Sequence, residues 1–271
     1  MTTASHENRG LAHSWLAFLG RKWLGVINEI GAASIFFSRA VIMIFRPKQA
    51  SAIMQQIYFI GARSAAIVML VALFTGMVLG LQLHHTLIKF GSEGVLGAAV
   101  ALSLIRELGP VLTAIMVTAR AGSAMTAEIG VQRISEQIDA LYTMRIDAIK
   151  YLVSPRVAAS VISFPMLTAF FDLVGIMGGF LTGVVLLGGD PGTYFFRAQS
   201  SVEMEDVTGG FIKSLVFGAL VAMICCYQGY FTHLRGDAYG AKSVGLSTTS
   251  AVVLSCVLVL FADYLLTSFL L

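Results

Sequence analysis

A charged pair interrupts one of the most apolar stretches of the sequence, ALSLIRELGPVLTAIMV at residues 101–117. Arg106 and Glu107 stand side by side there, and Gly109 and Pro110 follow at once. A charged side chain at the centre of a membrane helix costs about 2.5–3.5 kcal/mol, so the two cannot both face lipid. Adjacent helical residues point in different directions and do not neutralise each other. Each charge therefore needs another partner or a wet cavity.

Other charged residues in apolar runs are candidate partners for this pair. Lys213, in FIKSLVF, is the expected partner of Glu107, because it is the only lysine of the outer half of the membrane that is attached to a span. For Arg106 the sequence offers Asp172 or Asp263 and does not choose between them. A charged pair beside a proline, which opens the preceding helical turn, predicts the wall of a cavity where protein or water satisfies the freed carbonyl.

Composition makes the chain an integral membrane protein. Of its 271 residues, 57% are hydrophobic and 12% are charged, and a typical soluble domain has about twice that charged fraction. A spanning helix needs about 20 mostly apolar residues. The runs that meet this need are residues 64–88, 94–119, 157–189, 214–234 and 243–262. We therefore predict an all-α membrane protein whose five-span domain covers residues 51–271, after an N-terminal segment at residues 1–50.

The distribution of positive charge predicts the orientation of the spans. With the N-terminus in the cytoplasm, fourteen of the 18 lysines and arginines lie in cytoplasmic segments and three in outer loops, as the positive-inside rule requires. Five spans then put the C-terminus on the outer side.

Residues 1–50 are predicted to contain a helix that lies in the inner interface, because their apolar residues repeat at steps of three and four. These residues are Leu16, Leu19, Trp23, Val26 and Ile30. The following apolar residues 32–45 are too short to span and are expected to be interfacial or re-entrant.

Glycines at intervals of four mark two of the predicted spans. Small residues at this spacing let helix backbones approach closely in lipid. Packing within the chain is the simpler interpretation, and a subunit interface is the alternative. The residues are Gly76, Gly80, Gly175, Gly179 and Gly183.

The longest polar segment, residues 120–156, lies between the second and third predicted spans. An apolar stripe at Ile134, Ile138, Leu141 and Tyr142 opposes polar residues, which predicts a short amphipathic helix. Such a helix could dock in a groove of a partner protein or lie on the bilayer, and periodicity does not separate the two.

Two long runs, SLIRELGPVLTAIMVTARAGSAMTAEIGVQRISEQIDAL and SPRVAASVISFPMLT, resemble the MlaE/YrbE permease family, and the likeness continues from about residue 60 onward. Members are membrane subunits of ABC transporters that move phospholipid between the inner and outer membranes of diderm bacteria. The resemblance implies a homodimer in the bacterial inner membrane, with a cytoplasmic N-terminus and a periplasmic C-terminus. It also implies two cytoplasmic ATPase subunits that bind ATP and Mg, a STAS-domain protein, and a periplasmic hexamer of MCE-domain proteins.

The resemblance further implies roles for individual residues. The short helix would be the coupling helix that sits in the ATPase cleft, with contacts from Glu128, Glu136, Asp139, Tyr142, Met144 and Arg145. Glu107 and Lys213 match positions of the family motifs. One face of the first span is assigned, with ordinary packing as the alternative, to an outward-facing lipid pocket at the dimer interface. The predicted pocket residues are Leu79, Leu83, Thr86, Leu87, Phe90, Arg106, Glu107 and Lys213.

Several functions are disfavoured by missing motifs. The stretches GDAYGAKS and GGFIKS do not fit the phosphate-binding loop, GxxxxGK followed by Ser or Thr, so no ATPase activity and no cofactor are expected in this chain. The cysteines Cys225, Cys226 and Cys256 lack metal-ligand spacing and are interpreted as packing residues. Neither a metal site nor nucleic-acid binding is predicted.

Two other functions stay open on the sequence alone. One is an ion-coupled carrier in which Arg106, Glu107 and Asp172 form a relay. The other is a non-transporting subunit that anchors cytoplasmic and periplasmic partners.

Overall fold

The computed structural model describes residues 31–32, 34–40, 42, 50–234 and 240–270. Its helices from residue 50 onward are α1 (Ala50–Lys89), α2 (Glu93–Ile134), α3 (Gln137–Thr143), α4 (Ile149–Leu186), α5 (Pro191–Ser201), α6 (Met204–Tyr230) and α7 (Ala241–Leu270). In this part of the chain α1, α2, α4, α6 and α7 are long and apolar enough to cross a membrane. The prediction of an all-α protein with five spans is confirmed. The amphipathic helix predicted around residues 16–30 lies outside the described residues.

The spanning helices extend beyond the apolar runs that predicted them. α2 continues to Ile134 and α4 already begins at Ile149, so the predicted loop at residues 120–156 shrinks to residues 135–148. Hydropathy detects only the part of a helix inside the hydrocarbon layer. Met125 and Ile129 lie beyond that part and are fully buried against neighbouring helices, and this packing keeps the extension helical.

The described part of residues 31–42 is helical and packs on the protein. Phe36 and Ala40 are buried, and the Phe36 ring lies 5.3 Å from that of Tyr230 and 6.0 Å from that of Phe231, centre to centre. Both aromatic partners lie at the end of α6. The segment is therefore attached to the end of the bundle near residues 135–148.

Glycines bring α1 and α4 into backbone contact. A Cβ atom on Gly76 would lie 1.9 Å from the carbonyl oxygen of Gly175, and one on Gly80 would lie 3.1 Å from Cα of Gly179. No side chain fits at the first of these positions, so packing within the chain is confirmed for both pairs. Gly183 instead faces α2, where a Cβ would lie 2.5 Å from Cδ2 of Leu96.

α2 and α6 are the most buried of the spanning helices, with α1 and α4 packed to one side and α7 to the other. The short helix α5 connects α4 to α6 and packs across the start of α2. Tyr194 of α5 fixes this position, because its hydroxyl donates a hydrogen bond to the carbonyl oxygen of Ile176 in α4 at 3.0 Å. Its own carbonyl oxygen lies against α2, where a Cβ on Gly97 would be 2.1 Å from it. The start of α2 is thereby held while the next turns face α6 and α7.

Candidate functional site: an ion-lined cavity

A cavity of about 540 Å³ lies between α2, α6 and α7. The first turns of α6 and the last turn of α7 line it, so it is at the end of the bundle opposite residues 135–148. α2 contributes Arg106 and Glu107, α6 contributes Lys213, and α7 contributes Thr267. Leu102 and Leu270 add apolar surface to the same cavity.

Lys213 is the centre of the ionic contacts. Its side chain is 4% exposed, and Nζ lies 2.8 Å from Oε2 of Glu107 and 3.2 Å from Oδ1 of Asp263. The ammonium also donates to Oγ1 of Thr267 at 2.7 Å and to the backbone carbonyl oxygen of Arg106 at 2.8 Å. The predicted pairing of Lys213 with Glu107 is confirmed, and the buried cation faces two carboxylates.

The opened helical turn predicted beside the charged pair is present in α2. Residues Leu104–Leu108 form a π-helical turn, and the N–H of Gly109 donates to the carbonyl of Leu104, five residues back. In a regular helix the N–H of residue 110 would bond to the carbonyl of Arg106, but Pro110 has none. Lys213 supplies the donor that this carbonyl lacks.

Arg106 pairs with a residue that the sequence did not suggest. Its Nε lies 2.6 Å from Oδ1 of Asp206, so the prediction of Asp172 or Asp263 as its partner is wrong. Asp206 precedes Lys213 by seven residues, about two helical turns, and so lies on the same face of α6. Its other carboxylate oxygen accepts the N–H of Glu203 and caps the start of the helix.

Asp172 takes no part in this cluster. Its Oδ1 lies so close to Gly109 that a Cβ there would meet it at 1.9 Å, and this buried oxygen has no hydrogen-bond partner among the described residues. The described residues therefore provide no hydrogen-bonded relay from Arg106 and Glu107 to Asp172, which the ion-coupled alternative would need.

The apolar residues predicted for the same pocket lie elsewhere in the chain. Leu79, Leu83 and Thr86 line a separate depression of about 530 Å³ on α1. Leu87 packs against the core, and Phe90 is 77% exposed at the end of α1. Within one chain, these side chains and the ion cluster do not share a cavity.

The segment at residues 135–148 contains the predicted amphipathic helix, shortened to the seven residues of α3. Ile138 is fully buried against the ends of α2, α4 and α6, whereas Ile134 still belongs to α2. Glu136 and Arg145 bound the helix with left-handed φ angles of 59° and 58°. α3 is thus a separate element anchored by its apolar face, which leaves its other face available.

Polar contacts hold α3 and its surroundings in place. Arg133 Nη1 lies 2.8 Å from Oδ1 of Asp139, and the Tyr142 hydroxyl contacts that of Tyr230. Met144 and Tyr142 are 60% and 50% exposed, so they are accessible to a partner.

Glu128 pairs with Arg156 at 2.9 Å, and its carboxylate is half exposed. Besides these predicted residues, the structure adds His233, whose Nδ1 accepts a hydrogen bond from Nε of Arg133 at 3.0 Å. Burial and the neighbouring Arg133 lower the pKa of His233.

Thr267, Asp206 and His233 are the contact residues that sequence reasoning missed. Thr267 could have been found by helical spacing, since it follows Asp263 by four residues. Nothing in the sequence connects His233 with Arg133. In the described ranges, no group of three or more His, Cys, Asp or Glu side chains is arranged to hold a metal.

Comparison with known proteins places this architecture in a family. The sequence model of the family described as "Permease MlaE" matches residues 53–269. The chain belongs to the MlaE permease family. The matched residues include the ion cluster, the α1–α4 glycine contact and α3, so all of these are parts of the permease fold.

Individual relatives of the MlaE permease family cover nearly the whole chain. A probable ABC transporter permease protein of Rickettsia bellii is 42% identical over 250 residues, which is 92% of this chain and 95% of the relative. The intermembrane phospholipid transport system permease protein MlaE of Haemophilus influenzae is 38% identical over 259 residues, or 94% and 97%. The chloroplastic protein TRIGALACTOSYLDIACYLGLYCEROL 1 of Arabidopsis thaliana is 38% identical over 216 residues, or 80% and 60%.

Proposed function

We propose that the chain is the membrane permease subunit of an ABC transporter that moves phospholipid between the inner and outer membranes and so maintains outer-membrane lipid asymmetry. Family membership and the name of the Haemophilus relative support the substrate class. The observation that carries the proposal is the cavity of about 540 Å³ in which the buried Lys213 and its ion partners lie beside the π-helical turn of α2.

The chemistry of the cavity suits a phospholipid headgroup. The side chain of Arg106 is 46% exposed, so its guanidinium can donate to a phosphate oxygen while it stays beside Asp206. Glu203 and Glu205 lie at the same cavity and are exposed, which favours the ammonium of a zwitterionic headgroup. Lys213 is already engaged and acts by positioning Glu107 and the opened turn of α2.

The proposed acyl-chain region lies on α1. Leu79, Leu83, Thr86, Leu87 and Phe90 do not reach the ion cluster of their own chain, so their predicted role requires a homodimer in which two permeases complete one pocket. Leu102 and Leu270 supply the apolar surface that a single chain places next to the charges.

The proposed motor contact lies at the opposite end of the bundle. α3 is anchored by Ile138, and Tyr142 and Met144 are exposed to a partner. The charged residues proposed to complete the contact are Glu128, Glu136, Asp139 and Arg145. We assign ATP and Mg to a separate ATPase subunit. One of the two near-matches to a phosphate-binding loop, residues 209–214, is part of the continuous helix α6.

The orientation and the remaining partners belong to the same proposal. The charge distribution puts α3 in the cytoplasm with the ATPase and the STAS-domain protein. The ion-lined cavity then opens toward the periplasm, where an MCE-domain hexamer would exchange lipid with it.

Glu107→Gln tests the role of the cavity, because it removes the charge that faces Lys213 and keeps the side-chain shape. Glu93→Gln is the matched control, since Glu93 begins the same helix and lies outside this cavity. In proteoliposomes containing the whole transporter, we expect Glu107→Gln to slow ATP-dependent transfer of fluorescent phospholipid, and the control to transfer at the wild-type rate.

The same pair of variants has a cellular readout. Cells with Glu107→Gln should lose detergent resistance while the permease remains at its normal level in the membrane. Wild-type lipid transfer and wild-type resistance in this variant would reject the cavity as the lipid site. Transport by the purified chain alone under an ion gradient, without ATP, would favour the ion-coupled carrier.

A further inference from the structure

Two arginines contact the ring of Phe59 at the other end of the apolar layer, away from the ion-lined cavity. Arg63 directly precedes the apolar run at residues 64–88 of α1, and Arg120 directly follows the run at residues 94–119 of α2. The guanidinium carbons lie 5.9 Å and 5.3 Å from the ring centre of Phe59. Both charges are therefore at the headgroup level of the leaflet on the side of α3.

These arginines differ from Arg106, Arg133 and Arg156, each of which pairs with a carboxylate. No carboxylate of the described residues pairs with Arg63 or Arg120. Two like charges beside one aromatic ring at the edge of a low-dielectric layer repel each other, and a bound anion relieves this repulsion.

The local backbone fixes one guanidinium and leaves the other accessible. Residues Tyr58–Ala62 form a π-helical turn, and Arg120 Nη1 donates to the carbonyl of Phe59 at 2.7 Å and to Oγ of Ser64 at 3.1 Å. Arg63 is exposed and stacks on the rings of Tyr58 and Phe59. Its guanidinium hydrogen atoms are free of hydrogen bonds to the described residues, so they can serve a ligand.

An exposed apolar track begins at this pair. Ile67, Leu70 and Phe74 follow Arg63 at steps of four, three and four, and they are 44%, 57% and 57% exposed. Residues at this spacing share one face of a helix. A molecule with a phosphate at the arginines would therefore have apolar surface for its chains along α1.

We propose that Arg63 and Arg120 bind the phosphate of an anionic phospholipid from the leaflet on the α3 side, with its acyl chains along Ile67, Leu70 and Phe74. Guanidinium groups bind phosphate oxygens by paired hydrogen bonds. Two positive charges favour a lipid with net negative charge over a zwitterionic one, whose ammonium they repel. The site holds this lipid whether or not phospholipid is the cargo of the ion-lined cavity.

Phosphatidylglycerol in phosphatidylcholine nanodiscs is a suitable probe, with native mass spectrometry of the full chain to measure the lipid that stays bound. Arg63→Gln removes one charge without breaking a hydrogen bond to the described residues. We expect it to lower the apparent affinity about fivefold, as for loss of one basic residue near an anionic membrane surface. Lys242→Gln is the matched control, because it removes an exposed charge on the same side of the bundle, at the start of α7.

Three results of these binding measurements would overturn the proposal, and one result of a competition experiment would do so as well. The three are equal retention of phosphatidylglycerol by Arg63→Gln and the wild type, an equal loss in Lys242→Gln, and wild-type binding without preference over phosphatidylcholine. Competition by glycerol phosphate as strong as that by the lipid would identify a soluble phosphate ligand and would equally reject the lipid. A wild-type transfer rate in Arg63→Gln together with reduced lipid retention would separate this site from the cavity.

Discussion

Replacing Lys213 with methionine removes the buried ammonium and keeps most of the apolar volume of the side chain. The variant leaves Glu107 and Asp263 without their cation and the carbonyl of Arg106 without a donor. Breaking a buried ion pair costs about 3–5 kcal/mol, and an unsatisfied buried carbonyl accounts for about 1–3 kcal/mol of that loss. Because the side chain of Glu107 is 41% exposed, water stabilises it in part, and we expect the free energy of unfolding to fall by about 3 kcal/mol.

A second substitution separates the contribution of the hydrogen bond to the Arg106 carbonyl from that of the ion pairs. Pro110→Ala restores a backbone N–H that can bond to the carbonyl of Arg106, so Lys213→Met should cost less in that background. The expected coupling between the two substitutions is about 1–2 kcal/mol.

The assay is unfolding by sodium dodecyl sulfate in detergent micelles, followed for the wild type, both single variants and the double variant. The free energies of unfolding of all four proteins complete a double-mutant cycle. Additive losses, within about 0.5 kcal/mol, would show that the ammonium does not substitute for the N–H that proline lacks.

Two further predictions concern the helix contact and the α3 end. Gly76→Ala puts a Cβ 1.9 Å from a backbone oxygen and should destabilise the protein strongly in the same unfolding assay. The control Gly245→Ala meets no atom within 4 Å and should stabilise α7 by up to about 1 kcal/mol. Equal effects of the two substitutions would refute the close contact. The lowered pKa of His233 means that its contact with Arg133 is fully stable above about pH 6.5 and weakens as the pH falls below that value, because the unfolded segment binds the proton first. Hydrogen exchange of residues 133–143, corrected for intrinsic rates, should show this weakening in the wild type and not in His233→Gln. If the weakening at low pH persists in the variant, His233 is not the titrating group.

The pairing of Lys213 with Glu107 could be predicted from the sequence, because a charge in a membrane must be compensated and few opposite charges are available at the right depth. The five spans could be predicted too, because each contains a long apolar run with few or no charged residues. The α1–α4 contact is visible in the sequence as two glycine repeats, although the repeats alone do not say that they face each other.

Asp206 escaped prediction for a physical reason. The capping interaction between Glu203 and Asp206 starts α6 ten residues before the charge-free run at residue 214, and hydropathy assigns those ten residues to a loop. Whether Leu79 and Phe90 share a pocket with the ion cluster could not be derived from the sequence, because periodicity identifies the face of a helix and not the neighbour that the face meets.

The contact between Gly76 and Gly175 has a mechanical consequence. With only backbone at the point of contact, α1 and α4 have no side-chain layer that can rearrange between them, so we expect them to move as one stiff unit. α7 meets α2 at the cavity through the hydrogen bond from Thr267 to Glu107, which can be exchanged for water. α6 also touches the backbone of α2, because a Cβ on Gly210 would lie 2.6 Å from the carbonyl oxygen of Ile105. Opening of the cavity should therefore occur by displacement of α7, while α1 and α4 stay together.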